Sequence, residues 1–370
     1  MIKIIHLIST LDRGGAEITL SKLVSNMDKH RFSNIVVSLK NVGPIGKEIQ
    51  INGTPTLPLQ MIKGIPDPRG IVPFNKILQQ FNPHIIQCWL YHANLFGILF
   101  KYKTKIMWNI RCSQVDMKSY GLIYRLTVKL GAFFSSFPLA VISNSITGKE
   151  THERLGYHPN KWEIVPNGFD TNLFRPDFDA RKNLRSKLGI PLDAVVIGRV
   201  ARYDPTKDYE NFFKAAHMVL SKFPKTHFIV VGKGVRCSNA DFMKSFGNKL
   251  TDNIHLMGEV DDMFKIYASV DIVCSASFGE GFPNNIGEAM ATGVPCVVTD
   301  VGDSARIVNG TGIVVPPKDP EALALALESL LNGGSDVIEN LGKRARSRID
   351  KYFNLESMTQ KYEEIYQNYA

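Results

Sequence analysis

Short apolar runs rich in valine and isoleucine recur along the chain. Each is closed by Gly, Asn, Ser or Pro and followed by a stretch with helical spacing. In the first half the runs are Ile2 to Ser9, Asn34 to Leu39, His84 to Leu90, Lys105 to Ile110 and Leu139 to Ser143. The second half repeats the rhythm with Val195 to Ala201, His227 to Val231, Ile254 to Met257, Asp271 to Ser275 and Cys296 to Thr299. Intervening pieces such as Tyr209 to Phe223 and Pro320 to Leu331 read as amphipathic helices. Alternation of this kind predicts an α/β fold in which a parallel sheet is covered by helices, twice over.

A stretch dense in turn formers separates the two halves: Asn167-Gly168-Phe169-Asp170, then Phe174-Arg175-Pro176, then Gly189-Ile190-Pro191. It places a linker near residues 168 to 190 and domains over 1–170 and 171–350, with a helix over 351–370 expected to pack back on the first domain. A chain of 370 residues suits two such domains, with a cleft between them. Residues 343 to 370 read as charged helix, and the aromatic stripe Tyr352, Phe353, Tyr362, Tyr366 and Tyr369 reads as packing.

Composition narrows the class. An apolar fraction of 44% and a charged fraction of 21% belong to an ordinary globular protein. The five cysteines are odd in number and lack metal-site spacing, so they read as buried thiols in a reducing cytoplasm. The opening run meets a glycine turn too soon for a signal peptide, and nowhere do 18 apolar residues run together. The net charge of +9 is uneven: residues 1 to 170 hold 20 Lys and Arg against 10 Asp and Glu, whereas the remaining 24 and 25 nearly cancel. The basic half is expected to face something negative. No nucleic-acid-binding signature accompanies it, which leaves anionic lipid or an acidic substrate.

Three segments carry candidate chemistry. After the first run, Asp12-Arg13-Gly14-Gly15-Ala16-Glu17 leads directly into a helix, where free amides favour phosphate. It is not the dinucleotide fingerprint, and a ligand-free tight turn is its plain alternative. The second half opens with Gly198-Arg199-Val200-Ala201-Arg202-Tyr203-Asp204-Pro205-Thr206-Lys207, which sets cations just past the carboxyl end of a strand, where open parallel sheets bind ligands. Arg202 and Lys207 suit a diphosphate, while Arg199 reads as a structural partner or a ligand contact. The third segment runs from Ser277 to Pro295: a glycine loop holding Glu280, then a helix from near Asn285 with Glu288 about one turn in. Either carboxylate can accept from sugar hydroxyls, and the amides of Gly281, Phe282 and Asn284 precede a helix start that favours phosphate.

The sequence EGFPNNIGEAMATGVPCVVTDVGD, with its Glu-x7-Glu, resembles the donor-binding signature of glycosyltransferase family 4. Three more matches lie in chain order: GGAE at residues 14–17, VPNGFD at 165–170 and RYDPTKD at 202–208. The resemblance spans nearly the whole chain. It implies the GT-B fold, two Rossmann-like domains facing across a cleft, and a retaining transferase that takes sugar from a nucleotide-sugar. UDP is the expected nucleotide, with GDP and ADP open. Glu288 would bind the donor ribose, and Glu280 with the backbone of Phe282, Pro283 and Asn284 the donor sugar. Arg202 and Lys207 would hold the diphosphate, Gly14 and Gly15 would complete the phosphate site, and Gly258 to Val260 would lie near the base. Many relatives carry histidine where this chain has Asn109-Ile110-Arg111-Cys112-Ser113. Arg111 cannot be a general base, and reads as a contact for an acidic acceptor or the leaving phosphate, with His92 as an alternative.

No metal-binding acidic pair stands at a glycine loop, so cations and helix amides are expected to do the work of a metal ion, and no cofactor is expected. Same-face attack by the acceptor is favoured over double displacement. The expected acceptor is a glycan or lipid-linked sugar of surface polysaccharide or glycolipid synthesis. Rival readings are an epimerase or hydrolase acting on the donor alone, and a non-catalytic nucleotide-sugar binding module. The segment Lys118 to Phe134 predicts a helix with Leu122, Leu126, Leu130, Phe133 and Phe134 on one side and Lys118, Arg125 and Lys129 elsewhere. Such a helix suits an anionic membrane surface, and the protein is expected to be cytoplasmic and peripheral; a core helix is the alternative.

Overall fold

The computed structural model describes residues 1–61, 68–113, 121–246 and 251–370. The chain divides into two compact units, one of Met1–Gly168 with Leu355–Ala370, the other of Phe169–Asn354. The first holds a seven-stranded sheet: β1 (Ile2–Ile8), β2 (Phe32–Ser38), β3 (Thr56–Pro58), β4 (Ile85–Trp89), β5 (Lys105–Ile110), β6 (Ala140–Ser143) and β7 (Trp162–Ile164). The second holds six strands: β8 (Val196–Val200), β9 (His227–Val231), β10 (Ile254–Gly258), β11 (Ile272–Ser275), β12 (Cys296–Thr299) and β13 (Ile313–Val315). Their orders are β3-β2-β1-β4-β5-β6-β7 and β10-β9-β8-β11-β12-β13, and neighbouring strands pair in parallel. Apolar clusters cover both faces of each sheet, which is why the strands are apolar at nearly every position. Both units are Rossmann-like.

All ten sequence-predicted strands form. The three that the pattern did not show, β3, β7 and β13, are three-residue edge strands, too short to display a period. The stretch expected to be a linker contains a helix, Phe178–Lys187, whose cap Asp177 accepts from the Ala180 amide at 2.8 Å. Its buried side chain is Arg185, which donates to Ser269 O, Leu192 O and Ala194 O and pairs with Asp271 at 2.7 Å. A helix anchored by a guanidinium leaves no apolar period to read. The aromatic stripe packs only in part, since Tyr352 is exposed, and the part that packs is divided. Phe353, just after helix Pro320–Tyr352, joins the second unit's core, whereas Tyr362 and Tyr366 on helix Leu355–Tyr369 join the first unit's core. The cysteines differ from expectation in part, since Cys237 is exposed and Cys112 only half-buried.

Two buried histidines of the first unit give its stability a pH dependence. His6 receives the Trp89 indole N–H on Nδ1 at 3.3 Å and faces Asn34 Oδ1 through Nε2 at 3.1 Å. His152 faces Gly148 O through Nδ1 at 2.7 Å and the Tyr91 hydroxyl through Nε2 at 2.6 Å. Each ring is thus satisfied as a neutral tautomer, and burial lowers each pKa to about 4. The unfolded chain, with histidine near 6.5, takes up these protons first as pH falls. The contribution is therefore complete above pH 6.5 and is lost towards pH 4, on the order of 3 kcal/mol per ring at most. Thermal melts across that window should show a falling transition, shallower in a His152→Gln chain; a flat profile would contradict the assignment.

Candidate active site

In each sheet the strand order reverses beside the first strand of the unit, between β1 and β4 and between β8 and β11. Loops diverge at such a point and leave a crevice beyond the carboxyl ends of the strands. In the second unit those two ends carry the two chemically rich segments, Ala201 to Lys207 after β8 and Ala276 to Pro283 after β11.

The segments are bonded to each other. The Phe278 amide donates to Thr206 O at 2.9 Å, and Lys207 Nζ meets Glu280 Oε1 at 2.6 Å. Ser277 Oγ donates to the same oxygen at 2.8 Å, so the Glu280 carboxylate is oriented by an ammonium and a hydroxyl. The Lys207 and Glu280 side chains are 17% and 10% exposed, so the attraction is little screened by solvent. Beneath them Arg199 is fully buried and donates to Lys207 O and to Cys274 O, with its guanidinium carbon 5.4 Å from the Tyr209 ring centroid. Of the two roles open to Arg199, these contacts are structural ones that hold the Lys207 turn. Arg202 lies at the surface with its side chain 66% exposed and pairs with Asp204 at 3.1 Å. Burial works against the charge of Asp204, yet bonds from Thr206 and Arg202 keep its pKa below the ordinary carboxylate value.

Gly302 sits at φ +59° beneath the Glu280 loop, and a side chain there would come within 2.6 Å of the Glu280 and Gly281 carbonyl oxygens. The Asp303 amide donates to Gly281 O at 2.8 Å and closes the loop from the same side. Helix Asn284–Ala291 begins directly after Pro283, and Asn285 Nδ2 ties its first turn to Val200 O at the end of β8. Gly287 packs this helix directly on the Phe169 ring, and Phe282 stacks on the same ring at 6.2 Å. Glu288, four residues into the helix, accepts from the Tyr267 hydroxyl at 3.0 Å. Burial, and then the Glu288 carboxylate, push the Tyr267 pKa well up, so the phenol stays a donor. Val260, just past β10, is partly buried against the core, and Gly258 O receives the Gly232 amide at 2.7 Å.

Sequence reasoning missed Tyr267 and Ser277. Ser277 stands three residues before Glu280, where a hydroxyl able to orient it was there to be read. Tyr267 lies in helix Met263–Ser269, with nothing local to connect it to Glu288. The Gly232-Lys233-Gly234 turn after β9 was also passed over, and Lys233 O receives the Tyr203 amide at 2.7 Å.

Gly14, Gly15, His92 and Arg111 belong to the first unit. Gly14 caps helix Gly15–Asn26 after β1, and His92 is exposed in the first turn of helix Tyr91–Ile98 after β4. Arg111 directly follows β5, and its guanidinium donates to Thr19 Oγ1 at 2.9 Å and to Asn167 Oδ1 and lies 5.6 Å from the Trp89 ring centroid. Burial lowers its pKa, against the pull of Tyr362 and Glu17. Among the described residues no group of three or more His, Cys, Asp or Glu is arranged to hold a metal ion.

Two family models match in succession, Glycosyltransferase Family 4 over residues 13–173 and Glycosyl transferases group 1 over residues 193–333. The chain belongs to the family 4-type glycosyltransferases. A UDP-Gal:alpha-D-GlcNAc-diphosphoundecaprenol alpha-1,3-galactosyltransferase of Escherichia coli is 24% identical, over 84% of this chain and 82% of that protein. The capsular polysaccharide biosynthesis glycosyltransferase CapM of Staphylococcus aureus is 25% identical, over 99% and 97%. Among solved structures, Anabaena HepE in complex with UDP superposes with a TM-score of 0.83 at 20% identity, over 99% of this transferase and 100% of that chain. At that identity the likeness concerns fold, and the fold is GT-B.

Proposed function

We propose that this glycosyltransferase moves a sugar from a UDP-sugar to a glycan or lipid-linked acceptor, with retention of configuration and without a metal ion. The observation that carries the proposal is the Lys207–Glu280 pair at the β8/β11 switch point, followed at once by a helix start and by Glu288 one turn in. Cleaving the sugar–phosphate bond leaves growing negative charge on the diphosphate, and preorganised cations and amides stabilise that charge. Lys207 and Arg202 supply the cations, and the backbone from Gly281 through Phe282 and Pro283 to Asn284 leads into the helix amides. Glu280 orients the sugar through its hydroxyls, Glu288 accepts from the ribose, and Val260 lies towards the base. In the first unit, Gly14 and Gly15 are assigned an anion contact. The bonds of Arg111 to Thr19 and Asn167 favour a positioning role over contact with the reacting groups.

The uridine nucleotide is supported by the HepE complex and by the name of the E. coli relative. The undecaprenol-linked and capsular relatives support a role in surface polysaccharide or glycolipid synthesis, which we place at the cytoplasmic face of a membrane. No helix among the described residues is long and apolar enough to cross a membrane, so the association proposed is peripheral. Thermal-shift titration with UDP, GDP and ADP, all in EDTA, is the test: UDP raises the melting temperature most, and transfer proceeds at full rate in the chelator. A Mn²⁺ or Mg²⁺ requirement would overturn metal independence. A shift with GDP or ADP alone would overturn the nucleotide, and an inverted anomer in the product would overturn retention.

A further inference from the structure

Helix Leu122–Phe133 of the first unit is turned inside out relative to a core helix. Leu122 is 79% and Phe133 76% exposed, and Ile123, Leu126 and Leu130 are exposed as well. The side it buries holds Thr127, Val128 and Gly131. A side chain at Gly131 would collide with the Tyr157 hydroxyl, so the helix docks through small residues and turns its large apolar ones outward. At 3.6 residues per turn the five exposed apolar residues fall within an arc of roughly 100°, with Arg125 and Lys129 along one edge of it. Phe134, predicted on this side, packs partly buried against the core, and Lys118 lies outside the described residues.

The apolar surface continues beyond the helix. Phe133, Phe134 and Phe137 form a chain of rings with centroids 4.9 and 5.4 Å apart. Lys101 Nζ stands 3.5 Å from the Phe137 ring centroid and 4.9 Å from that of Tyr102, which is 90% exposed. The stretch of sequence that contains these elements is depleted of acid: residues 68 to 149 hold ten Lys and Arg and a single acidic residue.

We propose that the face formed by helix Leu122–Phe133, Lys101, Tyr102 and Phe137 is where the protein lies on an anionic lipid surface. The inference rests on the reading of a lipid-linked acceptor for its purpose, but vesicle binding can be measured without any transfer. An exposed stripe of Leu, Ile and Phe is suited to the headgroup boundary, where lysine stems lie along apolar surface while the ammonium groups reach phosphates. A second copy is the poorer occupant, because two such faces brought together would set like charges against each other. Each basic residue near an anionic surface contributes weakly and is screened by salt, so attachment is reversible.

The experiment is cosedimentation of the full chain with phosphatidylglycerol-containing vesicles and with pure phosphatidylcholine vesicles, at low and high salt. Binding is expected to the anionic vesicles at low salt and to weaken at high salt. Leu126→Ser with Phe133→Ser, and separately Lys101→Glu with Lys129→Glu, should each lower partitioning by about tenfold or more. Both variants should keep the UDP thermal shift and transfer to a water-soluble acceptor, since none of these residues belongs to the site. Absence of anionic-vesicle binding at low salt overturns the surface, as does binding that neither variant weakens. So does a dimer that the variants dissolve without any vesicle binding. Vesicle binding as expected, in a chain that transfers no sugar, would leave the surface standing and remove the transfer reading instead.

Discussion

Replacing Glu280 by Gln is expected to lower kcat/KM for transfer by about 100- to 1000-fold while leaving UDP bound, the size of loss seen when one preorganised polar contact to a transition state is removed. The geometry explains the split. Glu280 Oε1 is held by Lys207 at 2.6 Å and Ser277 at 2.8 Å, so its carboxylate is fixed for sugar hydroxyls, and the nucleotide does not depend on it. Neutralising it also releases the Lys207 ammonium, so UDP affinity is expected to hold or rise. Lys207→Met should do the opposite, weakening UDP by roughly 10- to 150-fold through the loss of a charge-assisted contact. It should also lower stability by about 2 kcal/mol or more, because a largely buried carboxylate loses its counter-ion. The double variant should recover much of that stability without recovering activity. Calorimetric titration with UDP, thermal melts and initial rates on the four proteins check the scheme. If Glu280→Gln loses UDP and turnover equally, the carboxylate serves the nucleotide and the assignment is wrong.

Glu288→Ala is the second large effect, an expected loss of roughly 10- to 150-fold in affinity for the nucleotide-sugar, with UDP itself weakened to the same degree. Equal losses follow if Glu288 accepts from the ribose, which both ligands share. Tyr267→Phe tests the support behind it. Without the hydroxyl 3.0 Å from Glu288 Oε2 the carboxylate loses its fixed orientation, and donor KM should rise a few-fold with kcat little changed. Unchanged donor affinity in Glu288→Ala would remove the residue from the site.

Most of the architecture is legible in the sequence because burial on both faces makes every long strand an apolar run, whereas β3, β7 and β13 are too short to carry that mark. The helix Phe178–Lys187 is hidden because Arg185 anchors it through hydrogen bonds. At the site, Glu280 stands out between two glycines past the end of β11, Lys207 in the Pro205 turn past the end of β8, and Glu288 by its spacing from Glu280 in the helix that follows. Tyr267 does not, since its partner is 21 residues away and only the fold brings them together. The segment Leu122 to Phe133 shows the limit of periodicity in another way. An apolar stripe states that one face differs from the other, and the direction it faces is decided by Gly131 and Thr127, which let the opposite side dock.

The helix Leu355–Tyr369 also bears on the order in which the protein is made. Tyr362 stacks on Trp89 at 5.9 Å and its hydroxyl accepts from Asn109 Nδ2 at 2.7 Å, so residues 355–370 fill the middle of a core begun 350 residues earlier. During synthesis the second unit is wholly translated before that helix emerges. The first unit to be started is therefore the last to be completed, and a chain that ends at residue 354 has every residue of the second unit but leaves the aromatic core of the first open on one side.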